Sequence, residues 1–133
     1  MSLVNGDVAP EAGVTPYTLN TPLFSDYAVK RRTVWMPSGS SATYNATDVF
    51  DFPDGTVLTK SFGFPDDMRK AQPIITWVET RIIWKQAGTW QGMGYTWDAA
   101  QKTATAAPGG VPNFSVSWID ANGQPAGTNS YLV

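Results

Sequence analysis

The segment ITWVETRIIWKQAGTWQGMGYTW, residues 75–97, constrains the fold of this chain more than any other. It is dense in β-branched and aromatic residues, which fit the pleated, half-buried surface of a sheet. Ala87-Gly88 interrupts it near the middle, where a pair of small residues lets the chain turn back on itself. The pattern predicts two paired strands over residues 76–98, with Ala87-Gly88 at the turn.

Two further hairpins are indicated by Asp-Gly and Asn-Gly pairs, which favour tight turns. Phe50 and Phe52 alternate before Asp54-Gly55, so residues 50–64 predict a strand, a turn and a returning strand. Further along the chain, FSVSWI and NSYLV flank DANGQPAG, which predicts a last hairpin. Many short strands separated by Gly- and Pro-rich turns are typical of sandwiches and small barrels.

Two short helices are also predicted, both from capping residues. Thr21 can cap a helix and Pro22 suits its first position, which favours a helix over residues 22–30. Asp98, followed three residues later by Gln101, matches a capping box for a second helix.

The length and composition are those of one globular domain. The chain has 133 residues, enough for a single core, and 13% of them are aromatic, which excludes a disordered composition. We expect a mostly β fold, an antiparallel β-sandwich or small barrel with one or two short helices. Residues 1–16 are expected to form a leader or extended arm, and residues 17–133 a single β-rich domain.

The residue types that are missing exclude several kinds of chemistry. The chain has no cysteine and no histidine, so it cannot form a Ser-His-Asp or Cys-His nucleophile system or attach a c-type haem. We therefore expect no transition metal and no cofactor in this chain itself, and assign no metal-binding residue, while calcium, which needs only oxygen ligands, remains open. The net charge of −2 argues against general binding of nucleic acid. No apolar run approaches the roughly 20 residues of a membrane span.

Four stretches, in this order, resemble a known group of proteins: LNTPLFSDYAVKRRTVWMP, FPDGTVLTKSFGFP, VETRIIWKQAGTWQGMGYTWDAAQKTA and SYLV. They are similar to an uncharacterised family of exported bacterial proteins, in which this region precedes a c-type haem segment with a Cys-x-x-Cys-His motif. The resemblance covers roughly residues 17–133. It implies a periplasmic or secreted location, a following c-type haem domain as partner, and haem in the full-length protein. This chain contains none of the haem-binding residues.

Lys60 interrupts the more apolar face of its predicted strand, where it lies between Leu58 and Phe62. An isolated ammonium is costly to bury, so Lys60 is expected to pair with a carboxylate, and Glu79 is the first candidate. Alternation places Glu79 and Arg81 on one strand face with Trp77 and Ile83. A structural ion pair at the rim of the sheet and a polar cluster lining a pocket remain alternative interpretations.

A second candidate surface consists of Asp26, Tyr27, Lys30 and Arg31. If residues 22–30 are helical, Asp26 and Lys30 are four residues apart and can pair. The group is interpreted either as a solvated helix end or as a docking surface for a haem domain or another chain.

Three tryptophans on the predicted 76–98 hairpin, Trp84, Trp90 and Trp97, form the third candidate group. Tryptophans in so small a domain commonly belong to the core. An exposed row of them would instead offer a flat surface on which sugar rings stack.

Two functional hypotheses follow. In the first, the chain is a non-catalytic domain that packs against or positions the c-type haem segment that follows it. In the alternative, it is a ligand-binding module that uses aromatic residues, with carbohydrate as the first ligand to test. No catalytic residue is assigned, and the sequence does not indicate an oligomeric state.

Overall fold

The computed structural model describes residues 2–4, 7–109 and 114–131. Ten strands lie in these ranges: β1 Ser2–Val4, β2 Asp7–Ala9, β3 Thr15–Tyr17, β4 Val29–Trp35, β5 Val57–Pro65, β6 Ile75–Gln86, β7 Thr89–Trp97, β8 Ala104–Ala106, β9 Phe114–Ile119 and β10 Pro125–Tyr131.

The main sheet is an antiparallel meander of six strands in the order β3-β4-β5-β6-β7-β8. Two-stranded antiparallel pairs, β1-β2 and β9-β10, complete the described strands. Because the ends of the main sheet do not pair with each other, the predicted antiparallel β fold is confirmed as sandwich-like and not as a closed barrel.

The two faces of the main sheet carry different side chains. The front face carries Lys30, Lys60 and Arg81, and the back face carries Thr59 and Tyr95. The register shifts beside Val78, because Phe62 lies opposite Glu79 whereas Gly63 lies opposite Trp77. Val78 is therefore the extra residue of a β-bulge, which changes the alternation of side chains along β6.

The bulge places β6 side chains in two separate hydrophobic cores. On the front face, Phe64 and Val78 pack against Val116 and Trp118 of β9, and the rings of Phe64 and Trp118 stack with centroids 5.3 Å apart. On the back face, Trp77 packs with three other buried residues, Val8, Ile75 and Trp97. Val8 belongs to β2, so residues near the start of the chain contribute to this core.

Two of the three predicted hairpins are confirmed. β6 and β7 are joined at Ala87 and Gly88, both with positive φ, and β9 and β10 pair across the turn that follows Asp120. The prediction for residues 50–64 is wrong, although Asp54-Gly55 does lie in a turn. Phe50 and Phe52 lie outside the strands, and β5 pairs with β4 and β6 instead. Pro53 lacks the N–H that a strand continuing to the turn would donate.

Both predicted helices are wrong, since the described residues contain none. In the segment 22–30, Asp26 and Tyr27 have φ values of 45° and 65°, and β4 begins at Val29. A helix of about two turns has little stability of its own, so pairing with β5 determines the structure here. At Asp98, the carboxylate accepts bonds from Lys102 N and the Thr103 hydroxyl and closes a loop that leads into β8.

Candidate functional site

A row of cationic side chains crosses the front face. Arg32, Lys60 and Arg81 lie directly opposite one another on β4, β5 and β6. Lys30 joins them from the same face of β4, opposite Phe62. The Lys60 ammonium lies 4.5 Å from the centroid of the Phe62 ring, and the Arg81 guanidinium carbon lies 5.1 Å from it. The aromatic face therefore interacts with two cations at once.

Glu79 pairs with Arg81, so the predicted pairing of Lys60 with Glu79 is wrong. Arg81 Nε donates to Glu79 Oε1 at 2.8 Å, and Lys60 forms no salt bridge with any described residue. The register explains the difference, because Glu79 lies opposite Phe62 whereas Arg81 lies on the same strand as Glu79. Burial lowers the pKa of Lys60, and the charges of Arg32, Arg81 and Lys30 lower it further, against a smaller opposing effect of Glu79.

Glu79 is the most buried charged residue of this face. Its exposed fraction is 2%, whereas that of the Arg81 side chain is 46%. Its second oxygen, Oε2, is buried and has no hydrogen-bond partner among the described residues. A cavity of about 500 Å³ opens beside it, which we call the Glu79 groove; its lining includes Glu79, Arg81, Ile83, Gly92, Gly94 and Pro108.

A second cavity, the back-face pocket, has a volume of about 460 Å³. Its walls include Trp35, Tyr95 and Trp97, and Thr33 and Thr59 form part of its floor. The Thr33 and Thr59 hydroxyls lie 2.6 Å apart and share one hydrogen bond. An apolar wall above paired hydroxyls is suited to a small molecule that is mostly apolar.

The segment before β4 exposes large apolar side chains. Leu23 is 73% exposed and Phe24 is 67% exposed, and Tyr27 lies beside them. We call Leu23, Phe24 and Tyr27 the apolar lip. Lys30 Nζ donates to the Leu23 carbonyl at 2.6 Å, and the Phe24 and Tyr27 rings meet edge to face at 5.1 Å.

The candidate group at Asp26 is divided by the fold. The expected pairing of Asp26 with Lys30 does not occur, because the segment is not helical and Lys30 bonds to Leu23 instead. Arg31 lies on the back face, where its guanidinium meets the Asp7 carboxylate at 3.0 Å. Tyr27 and Lys30 remain close to the front face, and the Tyr27 ring lies 6.4 Å from that of Trp118.

The three tryptophans do not form one row. Trp84 and Trp97 belong to the back face and Trp90 to the front face. Trp97 is buried, and its indole N–H donates to Thr80 at 2.9 Å. The aromatic row that does exist was missed by sequence reasoning; its neighbouring rings lie 5.8–6.4 Å apart, and it consists of Tyr44, Phe50, Phe52 and Trp90. The alternation of Phe50 and Phe52 was the only signal for it.

The described ranges lack two kinds of feature. No group of three or more metal-ligating side chains lies together within 2–4, 7–109 and 114–131. Over the same ranges, no helix has the length and hydrophobicity required to cross a membrane.

Comparison with known proteins gives no match: no protein-family model, no curated protein and no solved structure is significantly similar to this chain.

Replacement of Lys60 by methionine is expected to stabilise the domain by about 0.5 kcal/mol at pH 7, because like charges directly opposite each other in a sheet are unfavourable. The pKa of Lys60 is lowered on folding, so its charge destabilises the native state at neutral pH, and this cost disappears as the pH rises towards 10.5. The stability gained by Lys60→Met, measured by urea unfolding, should therefore shrink at high pH.

Lys102→Met, at an exposed position, is the control. A clear loss of stability in Lys60→Met would show that the contact of the ammonium with the Phe62 ring outweighs the repulsion by the neighbouring cations.

Proposed function

We propose that this chain is a non-catalytic β domain of an exported bacterial protein, and that it packs against and positions a c-type haem segment that follows it. The resemblance of the four stretches quoted above supports this proposal. Three of them coincide with consecutive parts of the main sheet: one contains β4, one contains β5, and one contains most of β6 and all of β7. The resemblance thus falls on the four central strands of the main sheet.

The observation that carries the proposal is the apolar lip. Leu23 and Phe24 expose most of their apolar surface, and exposed apolar groups that lie together are typical of interaction sites. The lip is also held in place, because Lys30 bonds to the Leu23 carbonyl and the Tyr27 ring contacts Trp118. A surface that is already ordered loses little conformational entropy when a partner binds.

The charges beside the lip suit a haem-bearing partner. Lys30 connects the lip to the cationic row, in which Arg32 and Lys60 follow on the front face. A c-type haem presents a flat apolar edge and two anionic propionates. An apolar lip beside a row of cations complements both features, and the charges would orient the partner as it approaches.

The test begins with the gene, which is expected to encode a Cys-x-x-Cys-His motif after Val133. The haem segment and this domain are then produced as separate chains, and their association is measured by calorimetry. Phe24→Ser is expected to weaken binding by about tenfold, because it removes a large contact at an exposed position without disturbing the core. Binding should also weaken as salt is added.

Val49→Ser is the matched control, since Val49 is also highly exposed but lies outside the lip. It should leave the affinity unchanged. The proposal is wrong if no haem motif follows, if the two chains do not associate, or if Phe24→Ser binds as tightly as the parent.

We also propose, as a second candidate, that the domain is a ligand-binding module. The observation that favours it is the presence of two cavities of about 460 and 500 Å³, a size typical of small-molecule sites. A titration with simple sugars, followed by NMR at every backbone amide, tests this candidate. A complete absence of shifts would contradict a carbohydrate ligand.

A further inference from the structure

We propose that Arg32, Lys60 and Arg81 form a binding site for one tetrahedral dianion, such as phosphate or the phosphate group of a small monoester. The site lies on the front face of the main sheet, where the three residues are directly opposite one another on β4, β5 and β6. The inference goes beyond the proposed function, because it requires neither a haem segment nor the apolar lip.

The first argument is the excess of positive charge in this part of the sheet. Lys30 adds a fourth cation from the same face of β4. The six strands of the main sheet, all within the described ranges, contain no acidic residue other than Glu79. Like charges directly opposite each other in a sheet are unfavourable, and one carboxylate does not balance four cations. An anion with two charges would remove most of the remaining repulsion.

The second argument is that the charged groups lie close together. The Lys60 ammonium lies 4.5 Å, and the Arg81 guanidinium carbon 5.1 Å, from the centroid of the same Phe62 ring. This buried ring therefore holds both cationic groups in one small region. Arg32 begins one strand spacing from Lys60 on the other side, a distance of roughly 5 Å. Side chains as long as these can reach one shared anion.

The third argument is that these cations have charge to offer. Arg32 and Lys60 form no ion pair with a described residue. Arg81 gives only Nε to Glu79, at 2.8 Å, and its side chain is 46% exposed, so two terminal nitrogens remain for another acceptor. Water solvates these groups in the free domain, but it leaves the repulsion between them in place. An anion that bridges them reverses the sign of that interaction.

The number of cations favours a phosphate group over a carboxylate. A guanidinium can bind two oxygens of one phosphate, and an ammonium binds a further oxygen as a compact charge. A carboxylate has only two oxygens and one charge, so it reaches fewer of the three cations and neutralises less of their charge. The row is therefore better matched to a tetrahedral dianion.

The experiment is an amide-resolved NMR titration of the domain with inorganic phosphate at about pH 8, where a phosphate group is mostly doubly ionised. Sodium chloride at the same ionic strength corrects for screening, and acetate tests the preference for a dianion. Phosphate is expected to shift the amides of Lys60 and Arg81. It should bind at least about fivefold more tightly than acetate.

Two independent variants locate the site. Lys60→Met and Arg32→Gln should each weaken phosphate binding by about fivefold, the change expected when one partly exposed charge pair is lost. Lys102→Met is the matched control, since Lys102 is an exposed lysine beside the back-face pocket, and it should leave the affinity unchanged. Phe24→Ser should also leave it unchanged, which separates this site from the surface proposed for a haem partner.

The titration of the Lys60 ammonium gives a second measurement. In the free domain, burial lowers the pKa of Lys60, and three neighbouring cations lower it further against the opposing charge of Glu79; these cations are Arg32, Arg81 and Lys30. A bound anion favours the charged ammonium, so phosphate should raise the pKa of Lys60. Carbon NMR at Cε follows this change, with Lys102 as the reference lysine.

Three results would each overturn the inference. The first is that phosphate causes no shifts at Lys60 and Arg81 beyond those caused by sodium chloride. The second is that acetate binds as tightly as phosphate, and the third is that Lys60→Met and Arg32→Gln bind phosphate as the parent does. Association with a haem segment is measured separately, and it can succeed or fail whichever of these results is found.

Discussion

Replacement of Gln101 by alanine is expected to destabilise the folded domain by about 3 kcal/mol, because it removes three hydrogen bonds that contribute about 1 kcal/mol each. The Gln101 amide completes the edge of β6 beside Trp77, whose exposed fraction is 0%. Gln101 Oε1 accepts from Trp77 N at 2.5 Å, and Nε2 donates to the Trp77 carbonyl at 3.0 Å. The same Nε2 donates to the Asp98 carbonyl at 2.9 Å. The Gln101 side chain therefore forms the two hydrogen bonds with the Trp77 backbone that a neighbouring strand would otherwise form.

Two other substitutions at this position separate the contributions. Gln101→Glu keeps an acceptor for Trp77 N but loses the donor, so it is expected to be destabilising as well. Gln101→Gly should be less harmful than Gln101→Ala by up to about 1 kcal/mol, because φ is 57° here and glycine adopts that conformation without strain.

Urea unfolding of these variants provides the measurement. Lys102→Ala, in the same loop and exposed, is the control and should change the free energy of unfolding by no more than about 0.5 kcal/mol. A loss below about 1 kcal/mol in Gln101→Ala would mean that water replaces the amide easily, and the assigned role of Gln101 would be wrong.

The strands could be predicted from the sequence because their signals are local. The residues of β6 and β7 carry strong β preference on both sides of Ala87-Gly88, and the hairpin forms there. The helix expected over 22–30 rested on capping residues alone, and caps contribute about 1 kcal/mol, less than a strand gains by joining a sheet. Gln101 was taken as a capping residue, whereas its amide bonds to Trp77, 24 residues away in sequence.

The site was predicted only in part, because one inserted residue changes the faces of β6. Simple alternation placed Trp77 on the same face as Glu79 and Arg81, with Val78 on the other. The bulge instead places Trp77 in the back core and Val78 in the front core. Glu79 and Arg81 were correctly placed on one face, but whether Lys60 lies opposite Glu79 depends on the register, which no local pattern specifies.

The bulge also places Gly63 in contact with the back core, and substitution there is expected to be costly. A Cβ at Gly63 would lie 2.6 Å from Ile75 Cγ2, 2.8 Å from Trp77 Cε3 and 2.9 Å from the Thr76 carbonyl oxygen. None of the three can retreat easily, because two belong to buried side chains and one to the backbone of β6. Gly63→Ala should therefore destabilise the domain by about 2–3 kcal/mol.

A matched control and a double-mutant cycle test this explanation. Gly92→Ala, on the exposed part of β7, adds the same methyl group at 3.3 Å from Ile83 Cγ2 and should cost less than about 1 kcal/mol. Ile75→Ala removes the side chain nearest to the new Cβ but leaves a cavity of its own. Because that cavity can accept the methyl group, Gly63→Ala combined with Ile75→Ala should cost less than the sum of the two single changes. Strictly additive losses in urea unfolding would show that the methyl group does not compete with Ile75, and that the destabilisation arises from the backbone of β6 instead.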